Sequence, residues 1–239
     1  MREASRYDRV VASERDRQKA AAAAYAAAMV EAGMRLGLGS GSTAAHVVRA
    51  LGPRVRAGMK LARVVSSSSA TTRLAEAEGI SVESLDAAPL DLVIDGADEV
   101  DPALRMIKGG GGALLREKVL AHAAERVVIV VDGPKQVETL GRFPLPLEVL
   151  PFATSFVLRT LADLSPRVRL AADGREARTD QDNALVDCSI GRIDDPEALA
   201  QRLAAIPGVI EHGLFLDEAD LVVIGQDEGV RVVSRPRRA

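Results

Sequence analysis

The chain has 239 residues, 47% hydrophobic and 27% charged, an ordinary globular composition with room for one large domain or a domain and a small companion. A net charge of -3 and a pI of about 5.7 exclude a globally basic nucleic-acid-binding surface, so an anionic ligand needs a local positive site. Cys188 is the only cysteine, which excludes an intramolecular disulfide and fits a reducing, cytoplasmic setting.

The N-terminal segment Met1 to Lys19 is densely charged, which argues against a secretory leader, and its first dozen residues read as a flexible tail. Residues 13–32 read as an alanine-rich helix closed by Gly33. Within it, Ala20 to Val30 is the longest notable apolar stretch, well short of the roughly 20 residues that span a bilayer. Tyr25 and its neighbouring alanines read as packing residues.

Met34 to Leu38 is a short apolar run, Thr43 to Leu51 a helix, and Ala62 to Val65 a strand. Ser66 to Ser69 caps a helix running to Gly79. Leu90 to Ile94 is a buried strand entering Asp95, and Ala113 to Ala124 is a helix. Val127 to Val131, five consecutive apolar residues, reads as a central parallel strand. This alternation predicts an α/β fold, a Rossmann-like parallel sheet covered on both faces.

Pro144, Pro146 and Pro151 are expected to break regular structure at a domain crossing. A helix at Thr154 to Leu164, strands near Val168 to Ala171 and at Ala184 to Cys188, and a helix at Pro196 to Ala205 then suggest a second, smaller α+β domain. Strands at Leu221 to Ile224 and Val230 to Val233 are expected to rejoin the first domain. The expected division is 1–145 plus 219–239 for the Rossmann-like unit and 146–218 for the small one.

Ligands of such sheets bind beyond the carboxyl ends of the strands. Four loops fall there. Gly39-Ser40-Gly41-Ser42-Thr43 suits a phosphate, because glycines permit close approach and the next helix offers free N–H groups; a simple turn before a helix explains it equally well. It lacks the Lys of a nucleotide P-loop and the third glycine of a dinucleotide fingerprint. The stretch Asp95-Gly-Ala-Asp98-Glu99-Val-Asp101 concentrates carboxylates. Its spacing is not that of an EF-hand, and His46, His122 and His212 are scattered, so no metal is expected. Asp95, ending an apolar strand, is the functional candidate; Glu99 and Asp101 read as surface-turn acids.

Lys108 precedes four glycines, a costly run unless a ligand must touch the backbone. Those N–H groups suit a developing oxyanion, with Lys108 beside them. Glu117 lies just over a turn into the following helix, facing the same rim, whereas Arg116 and Lys118 read as solvated helix charges. Val127 to Val131 leads to Asp132-Gly133-Pro134-Lys135. The serine run reads first as a helix cap, Cys188 as a core residue and His46 as a helix-face residue.

Four segments in order resemble type A ribose-5-phosphate isomerase over nearly the whole length, from about Lys19 onward: Gly39 to His46, Asp95 to Asp101, Lys108 to Lys118, and Phe143 to Val149. The resemblance implies Glu117 as catalytic base, supported by Asp95, Asp98 and Lys108. It implies substrate binding by Ser40, Gly41, Ser42, Thr43, Asp95, Gly96, Ala97, Asp98, Lys108, Gly109, Gly110, Gly111 and Lys135, with Lys19 as a further phosphate contact. It further implies a small-molecule sugar phosphate as partner, no cofactor or metal, no nucleic acid or membrane, and a homodimer or homotetramer.

The chain departs from the family pattern with Ser40 in place of threonine, with Asp180-Gln-Asp-Asn183 in place of an Asp-Asn-Gly-Asn turn, and with a longer charged N-terminus. The rivals are a non-catalytic sugar-phosphate sensor, an amino-sugar phosphate deaminase, and a coenzyme A transferase with a glutamate nucleophile.

Overall fold

The computed structural model describes residues 6–235. In chain order its elements are α1 (Arg6–Ala28), β1 (Arg35–Leu38), α2 (Gly41–Arg56), β2 (Arg63–Ser66), α3 (Ser69–Ala77), β3 (Leu92–Gly96), β4 (Glu99–Val100), β5 (Met106–Ile107), α4 (Leu114–His122) and β6 (Val127–Asp132). There follow β7 (Leu145–Val149), α5 (Thr154–Thr160), β8 (Pro166–Val168), β9 (Ala184–Cys188), α6 (Pro196–Ala204), β10 (Val209–His212), β11 (Leu214–Phe215), β12 (Leu221–Gln226) and β13 (Gly229–Ser234).

The main sheet has the order β13-β12-β6-β3-β1-β2. All its pairings are parallel except the edge strand β13. Alternate residues of β6 enter opposite cores. Val128 and Val130 pack with the alanines of α1 and with Val47, Val48 and Leu51 of α2. Val127, Ile129 and Val131 pack with Leu120 of α4 and with Phe215. Burial on both faces is why β6 reads as an unbroken apolar run. The chain leaves β1 for β2 on one side and returns to β3 on the other, so the strand order switches direction between β1 and β3. A crevice opens at such a point.

The helix α1 differs from expectation at both ends. It starts at Arg6 rather than at residue 13, so residues 6–12 of the expected tail are helical, and the rest of that tail, residues 1–5, lies outside the described residues. Arg6, Arg9 and Ala12 favour a helix, which extends it upstream. The helix stops at Ala28 because the Arg54 guanidinium takes the carbonyls of Ala27 and Val30, a cation on the helix C-terminus. Gly33, at φ +86°, shapes the later turn into β1 instead. Tyr25 is 43% exposed, although Ala22, Ala23, Ala26 and Ala27 are buried as expected.

The second sheet is antiparallel, β10-β7-β9-β8. Leu145, Leu147 and Val149 of β7 pack with Val157 of α5 and Leu203 of α6. Pro146 does not break structure: it lies inside β7, opposite Asp187. Its carbonyl accepts from Gly213 N–H at 2.8 Å, and its missing donor faces that same side, where the Gly213 carbonyl accepts instead from Lys108 N–H at 2.8 Å. The proline therefore removes no ladder bond. Cys188 is fully buried, and burial pushes its thiol up to about 12, as suits a core residue.

A third, small sheet, β11-β5-β4, links the other two. In the turn before β9, Asp182 holds φ +61° where the family pattern has glycine. Thr179 fixes it, its carbonyl accepting from Asp182 N–H and its hydroxyl from Asn183 N–H.

Candidate active site

The four polar loops meet in one cleft at the β1/β3 crevice. Ser40 to Thr43 arrive from the end of β1, Asp95 to Asp98 from β3, Lys108 to Gly111 from β5, Glu117 from α4 and Lys135 from the 3-10 turn after β6. Lys19 of α1 lies at the same rim. Every residue that the sequence pointed to as binding or catalytic lines this cleft.

Its floor is a buried triad of charges. Lys108 Nζ donates to Asp95 Oδ2 at 2.8 Å and to the Gly96 carbonyl, and lies 3.3 Å from Glu117 Oε2. Asp95 Oδ1 accepts the N–H groups of Ser40 and Gly96, at 3.1 and 2.7 Å. Gly39 is required for this approach, because a Cβ there would sit 1.8 Å from Asp95 Oδ1. Glu117 Oε1 accepts from the Ser40 hydroxyl, while Oε2 is buried without a hydrogen bond. The carboxylate is thus half satisfied.

Burial raises the Glu117 pKa to about 7, the Asp95 charge adds to the rise, and Lys108 and Ser40 oppose it. Burial pushes Lys108 down, but Asp95 and Glu117 outweigh it and hold the ammonium above the ordinary lysine range. The floor therefore keeps a fixed cation beside a carboxylate poised near neutrality, the condition for a general base.

The outer part of the cleft carries hydroxyl groups, Lys19 and Lys135. Ser40 occupies the N-cap of α2 but makes no side-chain capping bond; its hydroxyl serves Glu117 instead. The first-turn N–H groups of α2 and the hydroxyls of Ser42 and Thr43 border the opening, with Lys19 Nζ 3.3 Å from Ser42 Oγ. Asp98 accepts from Gly110 N–H at 2.7 Å and lies 3.4 Å from Lys135 Nζ. A helix N-terminus flanked by two lysines suits a phosphate.

Several residues differ from the sequence reading. Glu99 and Asp101 are buried rather than surface acids. Glu99 accepts the N–H groups of Gly141 and Phe143, and Asp101 those of Ala103 and Arg105. Lys118 is also buried, not solvated: its ammonium bonds Glu211 and the carbonyls of His212 and Leu214, under the Phe215 ring. Arg116 is partly exposed and pairs with Asp180 at 3.3 Å. Ser68 caps α3 through Thr71 N–H, and no residue of that serine run lines the cleft. His46 faces Asp16 at 3.0 Å on the helix surface. Among the described residues no group of His, Cys, Asp and Glu side chains is arranged to hold a metal.

The family model for ribose 5-phosphate isomerase A (phosphoriboisomerase A) matches residues 63–229. The ribose-5-phosphate isomerase A of Parvibaculum lavamentivorans is 45% identical over 227 residues, 91% of this chain and 98% of that protein. This chain belongs to the ribose 5-phosphate isomerase A family. The Methylorubrum extorquens member is 50% identical over 88% of this chain and 93% of its own length. Solved structures of the family agree. The Methanocaldococcus jannaschii enzyme superposes with a TM-score of 0.86 at 36% identity, covering 91% of this chain and 98% of that one. A D-ribose-5-phosphate isomerase in complex with phospho-erythronic acid gives the same TM-score at 37% identity and the same coverage of both chains.

Proposed function

We propose that this chain interconverts D-ribose 5-phosphate and D-ribulose 5-phosphate, with Glu117 as the proton-transferring base. One observation carries the assignment: a buried carboxylate with a pKa near 7, one oxygen of which has no hydrogen bond and only the Lys108 ammonium 3.3 Å away, lines a cleft whose mouth suits a phosphate. The α2 N-terminus with Ser42, Thr43, Lys19 and Lys135 anchors the phosphate. Glu117 removes the proton from carbon 2 of the open-chain aldose, and the electron pair moves to the carbonyl oxygen on carbon 1, giving an enediolate. Lys108 and the glycine-loop N–H groups stabilise that oxygen. Glu117 returns the proton to carbon 1 while the hydroxyl proton on carbon 2 passes to the neighbouring oxygen. Asp95 and Asp98 relay hydroxyl protons and assist ring opening.

Phospho-erythronic acid, bound by a relative, supports this reading, because its carboxylate resembles the two oxygens of an enediolate. A sensor domain would have no need to bury Asp95, Lys108 and Glu117 together. The proposal includes a metal-free reaction in the cytoplasm and a homodimer or homotetramer; Phe152, 96% exposed beside exposed Leu150 and Phe156, offers apolar surface for a second copy. It keeps 1–145 plus 219–239 and 146–218 as the two folding units. The test is ketopentose phosphate formation from ribose 5-phosphate, with and without exhaustive chelation. Full activity in both is expected; no isomerisation, or activity lost with the metal, overturns the reading.

A further inference from the structure

We infer that Arg169, outside the cleft on the small antiparallel sheet, is a positioning residue that aims the glycine-loop N–H groups at the enediolate. The inference rests on the isomerase reading above. Arg169 follows β8, and Asp187 of β9 grips its guanidinium through both carboxylate oxygens, at 2.8 Å from Nε and 2.5 Å from Nη2. The remaining nitrogen, Nη1, donates to the carbonyls of Gly109 and Gly110, at 3.0 and 3.1 Å. One planar guanidinium, engaged at all three nitrogens, thus fixes two consecutive peptide planes, a task its fork geometry suits and a lysine's point charge does not.

Those planes decide where the N–H groups point. A trans peptide sets its N–H opposite its carbonyl, and no cis bond occurs among the described residues. With the Gly109 carbonyl on Arg169, the Gly110 N–H points the other way and meets Asp98 at 2.7 Å. With the Gly110 carbonyl on Arg169 as well, the Gly111 N–H turns to the same side, toward the cleft. Among the described residues it has no hydrogen-bond partner. Gly111 also adjoins Ser40, whose hydroxyl would lie 3.3 Å from a Cβ there and which itself holds Glu117. The Gly112 N–H also bonds the Gly109 carbonyl, at 3.0 Å, and Asp98 holds the Gly110 N–H, but the Gly110–Gly111 peptide, which carries the free donor beside the base, is held by Arg169. Gly109, at φ +105°, holds a backbone conformation that favours glycine, so the loop reaches Arg169 without side chains of its own.

The experiment compares the wild type, Arg169→Met and Arg169→Lys in ribose 5-phosphate isomerisation and in inhibition by phospho-erythronic acid. Misaiming an oxyanion donor should lower kcat by roughly 10- to 100-fold in Arg169→Met, toward the range for removing one outright. KM should stay within about threefold, because the phosphate is held elsewhere, while the inhibitor weakens in step with kcat/KM. Arg169→Lys should recover only part of the loss. If Arg169→Met does not fold, Asp187→Asn, which loosens the grip and leaves the arginine, should lower kcat at unchanged KM. Wild-type kcat in a folded Arg169→Met or in Asp187→Asn overturns the inference, as does a loss confined to KM or thermal stability. An inactive wild type would overturn the isomerase reading itself, a separate result.

Discussion

Two consecutive residues of α4, about 100° apart around the helix, bury opposite charges in different surroundings. Glu117 faces the cleft floor; Lys118 faces the β10–β11 turn. Both ammonium groups nearby approach the same ring, Lys108 at 5.2 Å and Lys118 at 4.7 Å from the centre of Phe215. Burial moves both pKa values toward neutrality, raising Glu117 and lowering Lys118, the latter against the opposing pull of Glu211. The difference is in saturation. Lys118 finds Glu211 and two carbonyls for its protons, whereas Glu117 lines the cleft with one oxygen that has no hydrogen bond and only the Lys108 ammonium near it, at 3.3 Å. Buried charge alone does not mark a reactive group. An incompletely satisfied one, open to a ligand, does.

That contrast is most directly tested at its ends. Glu117→Gln should bind ribose 5-phosphate by calorimetry nearly as the wild type does, while turnover falls by at least ~10²–10⁴-fold, the usual contribution of a positioned base. A folded variant isomerising at the wild-type rate would remove the assignment. Lys118→Met should do the reverse. It leaves two carbonyls and Glu211 without their donor, at about 2–4 kcal/mol of stability, read from denaturant unfolding. The kcat of its folded fraction should stay within about threefold. A collapse of kcat at unchanged stability would erase the distinction between the two sides of α4.

The pH dependence of stability sharpens the same contrast. Glu117 is raised from 4.5 to about 7 on folding, so the folded state holds a proton that the unfolded state has lost. Its contribution is intact below pH 4.5 and declines as pH rises through about 7. Glu117→Gln cannot lose it. The Tm of the variant relative to wild type should therefore climb between pH 5 and pH 8, and a constant difference would mean that the carboxyl is not perturbed.

Much of this organisation is legible in the sequence because buried parallel strands are written as local apolar runs. Val127 to Val131 and Ala184 to Cys188 announce themselves, and the loops that follow strands carry the polar groups to one rim. The two-residue strands β4, β5 and β11 show no period and exist only through tertiary pairing. Burial of Glu99, Asp101 and Lys118 is hidden for a related reason: each takes backbone groups as partners, and Lys118 also the distant Glu211, which composition does not reveal. Arg169 touches the glycine loop across about sixty positions, and nothing near it in sequence marks the contact. Pro146 misleads because its cost depends on whether the acceptor opposite its missing donor finds another N–H, as the Gly213 carbonyl does in Lys108.

The smallest effect concerns the one hydrogen bond that Glu117 does possess. Ser40 stands where the family usually carries threonine, and it spends its hydroxyl on Glu117 Oε1 rather than on capping α2. The bond favours the carboxylate form and lowers the Glu117 pKa against burial. Ser40→Ala should leave the N-terminus of α2 intact, since no cap bond is lost, and KM should change little. The carboxylate would then ionise later, moving the acid limb of the kcat/KM profile upward from about 7 by up to about one pH unit. At pH 8.5, where Glu117 is ionised in either protein, the rates should approach each other. Ser40→Thr retains the hydroxyl and should keep the limb in place. An unmoved limb in Ser40→Ala would mean that the hydroxyl does not tune the base, and that burial and the two neighbouring charges alone hold Glu117 near neutrality.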